Sequence, residues 1–249
     1  MHRLVSLSLA ASVLLLLLLL PGCGLRPFRA RTSVVHNNQG MTAYHEGRTQ
    51  EAITDFREAV RLNPDSAISH SNLGMALDHT GQSDEAITEL HAALKLDPND
   101  EKAHNNLGLA EYHAGRLLEA VSQYNDALRL NPNDPTAHNN LGLALYHQND
   151  FAGAMTHLDR AISLNPNLAT AYNNSGLVLD RQRRYAEAIA RYGQALRLNP
   201  ADTIAHLNLG LALYHDGQPV HAHAEWNRVA DSGDPRHAAE ARRFLSLYP

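Results

Sequence analysis

The apolar positions of this chain fall on one side of short helices, and the same arrangement returns every 34 residues. Two markers keep the beat. Gly40, Gly74, Gly108, Gly142, Gly176 and Gly210 are each 34 residues apart, and so are Pro64, Pro98, Pro132, Pro166 and Pro200, each preceded by Asn or Asp. With the prolines counted as place 32, places 4, 7, 8 and 11 share one side of a first helix at about 100° per residue. A second helix carries small residues at places 20 and 27 and a large one at place 24. The stretch 101–134 illustrates the unit. Asp100 is placed to cap a helix running to about His113, and Ala114-Gly115 ends it, with glycine suited to a left-handed position. A second helix is predicted from about Arg116 to Leu130, closed by Asn131-Pro132 because proline disfavours helical geometry in the residue before it. Asp134-Pro135 opens the next unit as cap and first helical residue.

A period this long predicts a stack of repeated helix pairs, not one globular core. The pattern resembles the tetratricopeptide repeat family. Alanine fills place 20 in all six units (Ala52, Ala86, Ala120, Ala154, Ala188, Ala222). Phe56, Tyr124, Tyr192 and Trp226 stand at place 24, with Leu90 and Leu158 substituting. Place 27 is Ala59, Ala93, Ala127, Ala161 and Ala195, then Val229. The resemblance implies an all-α fold: a right-handed superhelical solenoid of six antiparallel helix pairs with a C-terminal capping helix. The repeats are 33–66, 67–100, 101–134, 135–168, 169–202 and 203–234, and the cap is 235–249. Gln39 and Ser175 depart from the leucine expected at place 7. In the cap, Ala238, Ala241, Phe244 and Leu245 share one side, and Arg236, Glu240 and Arg243 the other.

The N-terminus breaks the pattern. Arg3 is followed by an uncharged run, Leu4 to Leu20, that ends in seven leucines, then Pro21-Gly22-Cys23. This reads as an export signal. It resembles the bacterial lipobox, with Leu20 at −3, Gly22 at −1 and Cys23, the chain's single cysteine, as the lipidated residue. Residues 1–22 are then a signal peptide and 23–32 a lipidated tether, whose three arginines could rest on anionic head groups or simply be solvated. An uncleaved membrane anchor is the alternative, since 17 apolar residues approach the length that spans a bilayer. Gly24 after the cysteine favours the outer membrane over retention at the inner one, so the expected location is the cell envelope, facing the periplasm.

Places 2, 5, 6, 9, 12 and 13 remain on the other side of the first helix, where a solenoid of this kind has its concave groove. Place 6 is asparagine throughout: Asn38, Asn72, Asn106, Asn140, Asn174 and Asn208. Place 5 adds Asn37, Asn105, Asn139 and Asn173. Place 9 is always Met or Leu. Place 12 holds Tyr44, Tyr112, Tyr146 and Tyr214, with Asp78 and Asp180. Place 13 holds His45, His79, His113, His147 and His215, with Arg181. A carboxamide pairs with both groups of a peptide backbone. The row is similar to the asparagine ladder of O-linked N-acetylglucosamine transferases, which implies capture of an extended polypeptide. Asn38, Asn72, Asn105, Asn106, Asn139, Asn140, Asn174, Asn208, Tyr112, Tyr146, His113 and His147 are the candidate partner-binding residues. The alternative is that the asparagines bond to neighbouring helices.

Composition narrows the function classes. A net charge of −5 argues against nucleic acid. Ten of the 16 histidines belong to places 4 and 13, so the repeat accounts for most of them. His104 and His113 lie half a turn out of phase, and equivalent histidines of successive repeats stand too far apart to share a metal. No metal or other cofactor is expected, and the place-4 histidines are expected to pack with one ring nitrogen bonded. The sequence holds no nucleophile elbow, phosphate loop or HExxH motif. An interaction scaffold is therefore expected, not an enzyme. A lipobox followed by six such repeats also resembles the pilotin lipoproteins that assist type IV pilus secretins, and envelope lipoproteins that hold peptidoglycan enzymes are an equal alternative.

Overall fold

The computed structural model describes residues 25–248, and every described element is an α-helix. The described residues fall into two compact units. The first, up to Ala114, contains α1 (Leu25–His45), α2 (Thr49–Leu62), α3 (Ala67–His79), α4 (Ser83–Leu96) and α5 (Glu101–His113). The second, from Gly115, contains α6 (Leu117–Leu130), α7 (Pro135–His147), α8 (Phe151–Leu164), α9 (Ala169–Arg181), α10 (Tyr185–Leu198), α11 (Thr203–His215), α12 (Pro219–Ala230) and α13 (Pro235–Leu247). In each unit a helix packs on the next in sequence. First helices of adjacent repeats also touch: α1, α3 and α5 in one unit, and α7, α9 and α11 in the other. The signal segment and Cys23 lie outside the described residues. The segment expected as a short tether is helical from Leu25, which makes α1 the longest of the described helices, at 21 residues. Pro27 does not prevent this, because it sits in the first turn, where no backbone donor is needed.

The repeat's geometry follows from its small residues. All six place-20 alanines are fully buried. At Gly40, Gly74, Gly142, Gly176 and Gly210 the place-8 glycine lies against the place-24 side chain of the partner helix. A Cβ added to Gly142 would stand 2.7 Å from Leu158 Cγ and 3.1 Å from the Ala154 carbonyl oxygen, so only glycine lets α7 and α8 come this close. Trp226, Tyr192 and Phe56 fill the equivalent space in their own repeats and are among the largest fully buried side chains. Capping follows the sequence. Asp100 accepts from the Lys102 and Ala103 amides at 3.0 Å, and Asp134 from Thr136 at 2.8 Å with Pro135 opening α7. Arg116 is itself the N-cap of α6, so that helix begins one residue later than expected. Ala238 and Ala241 of α13 are buried, and Phe244 and Leu245 pack with them against Trp226.

Place 15, between the two helices of a repeat, adopts positive φ. It is 77° at Gly47 and Gly115, 80° at Gly81 and 79° at Gly217, but Asn149 and Arg183 hold 63° and 61° with a full side chain.

The place-4 histidines bond more fully than expected. His70 places Nδ1 2.6 Å from Glu89 Oε2 and Nε2 3.0 Å from the Pro64 carbonyl. His206 repeats this with Glu225 at 2.5 Å and Pro200 at 3.1 Å. His104 reaches the Pro98 carbonyl at 3.2 Å, and His36 reaches Asp55 at 2.9 Å. One ring thus ties the second helix of its own repeat to the proline turn of the preceding one. The expectation of a single bonded nitrogen is corrected at His70, His138 and His206, because place 23 supplies a second partner across the helix pair. At His70 and His206 the ring lies between a carboxylate and a backbone carbonyl. In the fourth repeat the carboxylate is replaced by His157. His138 Nε2 lies 3.1 Å from the Pro132 carbonyl, and its Nδ1 lies 2.9 Å from His157 Nδ1. One ring must donate and the other accept there, which two protonated rings cannot do. Burial, then the neighbouring His138, pushes the pKa of His157 below its ordinary value of 6.5, with Asp150 acting the other way.

Two predictions follow from these local features. Arg183→Gly should raise the melting temperature by about 1–3 °C. Left-handed geometry costs a side-chain-bearing residue about 1–2 kcal/mol, of which glycine's greater unfolded-state freedom takes back about half. No rise in a calorimetric scan would mean that Arg183 carries no backbone strain. His157→Glu should make the protein more resistant to acid. A histidine whose folded pKa lies below its unfolded value contributes stability that is present above about 6.5 and is lost as pH falls through the depressed value. Glutamate at this place removes that dependence and faces His138 as Glu89 faces His70. The fall in melting temperature between pH 7 and pH 5 should shrink in the variant, and an unchanged fall would refute the pairing.

Candidate functional site

The side of the first helices that does not pack against second helices is built from places 2, 5, 6, 9, 12 and 13, and these places differ in exposure. Place 2 is exposed in every repeat, including three apolar residues, Val34, Ile68 and Ile204. Place 13 is exposed throughout, so His113 and His147 face solvent. Place 9, always Met or Leu, is half-buried, as are Tyr44, Tyr112, Tyr146 and Tyr214 at place 12. Place 5 turns inward: Asn139 and Asn173 are buried, and Asn37 and Asn105 are half-buried. At place 6, Asn38 is exposed, Asn72, Asn106, Asn140 and Asn208 are half-buried, and Asn174 is buried.

The asparagines make a ladder between repeats. Asn72 donates from Nδ2 to Asn37 Oδ1 at 2.9 Å, Asn174 to Asn139 at 2.9 Å and Asn208 to Asn173 at 3.1 Å. Each bond runs from place 6 of one repeat to place 5 of the repeat before. Asn139 also donates to Asn140 Oδ1 at 3.2 Å. The arrangement that the sequence left as an alternative, asparagine bonded to a neighbouring helix, is therefore present in both units. A half-buried carboxamide such as that of Asn72 or Asn208 spends one donor on this bond, and it carries a second donor and an acceptor on the same group.

Aromatic rings and acids edge the ladder. Tyr44 meets His79 of the next repeat edge to face, with ring centroids 5.6 Å apart, and Tyr146 meets its neighbour His147 at 5.0 Å. Burial pushes the pKa of His147 down, so this exposed-row histidine stays neutral further into the acid range. Where tyrosine is replaced by aspartate at place 12, the place-13 histidine of the next repeat turns to it. His113 Nδ1 lies 2.9 Å from Asp78 Oδ2, and His215 Nδ1 lies 3.5 Å from Asp180 Oδ1. In the first unit Asn106 and His113 come together with Tyr44, Met75, Asp78, His79 and Leu109 around one cavity of about 110 Å³. The sequence carried Asp78 and Asp180 only as exceptions at place 12.

Among the described residues no group of three or more His, Cys, Asp or Glu side chains is placed to hold a metal ion, and no helix is long and apolar enough to cross a membrane.

Comparison with known proteins places this geometry. No curated protein matches the chain. Among solved structures, PilF of Pseudomonas aeruginosa is 20% identical and superposes with a TM-score of 0.71 over 88% of this chain and 99% of its own. PilW, described as a widely conserved type IV pilus biogenesis factor, is 15% identical, with a TM-score of 0.74 over 84% and 97% of the two chains. YrrB, described as a tetratricopeptide repeat protein with an unusual peptide-binding site, is 23% identical, with a TM-score of 0.54 over 76% and 97%. At these identities the likeness establishes the fold alone. The sequence profile of the tetratricopeptide repeat matches residues 37–101, 74–135, 118–169 and 173–238, which is most of the chain. With helix pairs closed by place-8 glycines and stacked through first helices, this chain belongs to the tetratricopeptide repeat family.

Proposed function

We infer that the protein is a membrane-anchored interaction scaffold of the bacterial cell envelope, and that it holds an extended polypeptide along its first-helix face. Membership in a family of protein-binding, generally non-catalytic repeats supports the scaffold class. The observation that carries the polypeptide reading is a row repeated in register. Each first helix presents a half-buried Met or Leu, then a tyrosine or aspartate, then an exposed histidine or arginine, beside amides with bonding capacity left over. Such a surface reads main chain through its amides and alternate side chains through its apolar steps. The anchor would be a lipid on Cys23, and the location the periplasmic side of the outer membrane. A second reading has one observation in its favour. The likeness to PilW, a pilus biogenesis factor, spans nearly the whole of both chains, so a pilotin-like role in secretin assembly fits the size and layout of the repeats.

A photo-crosslinking residue at His79 or His147, on the exposed row of the first helices, should capture a polypeptide partner in intact cells. The same residue at Lys95, exposed on a second helix, should not. Equal capture at Lys95 would move the site off the first-helix face. Cys23→Ser should abolish incorporation of a labelled fatty acid and release the protein from the membrane fraction. Equal labelling of variant and wild type would refute the lipid anchor.

A further inference from the structure

The Asp78 cavity is unlike the rest of the first-helix face. The Asp78 side chain is only 5% exposed, yet it lies on the side that the packing of the helix pair does not use. Four of the six repeats place tyrosine there, whose phenol fills the same space with a neutral group. Aspartate instead leaves a cavity with a carboxylate in its wall. That carboxylate has two protein donors, the Ser83 hydroxyl at 2.9 Å on Oδ1 and His113 Nδ1 at 2.9 Å on Oδ2. Of these only His113 can carry charge, and its side chain is 46% exposed, so it can swing away. The carboxylate's field is felt across the cavity. The Tyr44 phenol is held above its ordinary pKa first by burial and then by the charge of Asp78. A buried carboxylate is stabilised most by a cation of fitting shape.

We propose that the Asp78 cavity is a subsite for a lysine or arginine side chain of the bound polypeptide. The proposal rests on the polypeptide reading above and names the chemistry that one of its positions would select. Met75 and Leu109 flank a channel for the methylene stem, which amphipathic side chains bury while their charged head finds a partner. Tyr44 contributes an aromatic ring to the lining beside the cation, and Asp78 is the counter-ion. The volume of about 110 Å³ is that of a few water molecules, enough for an ammonium or guanidinium head with part of its stem. Glutamate or aspartate would meet repulsion, and an apolar side chain would leave the carboxylate desolvated without a cation. The second unit carries a related constellation, with Tyr146, Asp180 and His215 at the same places. There Asp180 Oδ1 is buried without a hydrogen bond among the described residues, and His215 stands at 3.5 Å. Arg181 occupies the place of His79, and its charge acts on Tyr146 against that of Asp180, so the charge balance at this second site differs from that at Asp78.

The test needs no knowledge of the natural partner. Three probes are titrated into the isotope-labelled full chain in detergent: a blocked Ala-Ala-Lys-Ala-Ala peptide, the same peptide with norleucine for lysine, and n-butylammonium. Saturable shifts at Tyr44, Met75 and His113 are expected with the lysine peptide and not with the norleucine peptide. Asp78→Asn should weaken the lysine peptide at least about tenfold, since a charge-assisted hydrogen bond is lost. Asp78→Tyr, which installs the residue that the other repeats tolerate, should do the same with an unchanged melting temperature. The proposal is overturned if no saturable shifts appear, if both peptides bind alike, or if both variants bind like wild type. Butylammonium binding more tightly than the lysine peptide would make the occupant a free amine and overturn the side-chain assignment. None of these results touches crosslinking at His147, which lies outside the cavity, so the subsite can fail while the polypeptide groove stands.

Discussion

The distance between the two helices of a repeat is set at place 8, and much of the structure depends on it. With no Cβ at Gly142, the backbone of α7 lies against Leu158 and the Ala154 carbonyl, and the same absence lets Phe56, Tyr192 and Trp226 seat against their own glycines. Close approach of the pair makes place-20 alanine necessary, because nothing larger fits at full burial. Four residues before the glycine, place 4 faces the second helix at place 23 and the proline turn behind it. The histidine bonds at His70 and His206 turn a contact within one repeat into a contact between two. A stack of this kind holds together through nearest neighbours only, so a tie that spans the boundary has more effect than an equal tie within a repeat.

The elements were legible because their signals are local. Capping aspartates, the Asn-Pro stops and the positive-φ glycines each act within a few residues, and they stand where the 34-residue beat put them. Arg183 and Asn149 show the limit of local chemistry. Both hold left-handed geometry without glycine, so the turn is imposed by the two helices it joins and not by its own residue. The helical start at Leu25 was missed because a proline and three arginines read as a linker, whereas the helix simply runs on from the first repeat.

The site was legible to a lesser degree. A helical wheel puts places 5 and 6 on the same side and says nothing of the helix beside them. In the structure the next first helix covers place 5, which buries Asn139 and Asn173 and makes them acceptors for Asn174 and Asn208. Place 6 keeps part of its surface except at Asn174, which is buried. The two asparagine rows thus divide the work: one carries the bond between repeats, and the other carries the bond and a face toward solvent. Likewise, a single sequence marks Asp78 as an exception to tyrosine but cannot show that its carboxylate sinks to 5% exposure, because that depends on Leu109 and His113 of the following repeat.

A repeat array gains specificity by breaking its own rule at chosen places. Where every repeat obeys, as with the Met or Leu of place 9, the surface is uniform and any extended chain of suitable polarity can shift along it by one step. A single aspartate changes that. It costs the fold little, because Ser83 and His113 satisfy its oxygens, but it offers one position along the row that a cation fits and an anion does not. On the proposed reading, charge at one step sets the register, and affinity is spread over the amides and apolar residues of the others. This is how a buried polar group inside an otherwise regular interface fixes one alignment among several of similar contact area. Asp180 differs despite its matching neighbours, because Arg181 stands at the place of His79 and its charge opposes that of Asp180 at Tyr146, whereas the first unit has a histidine there.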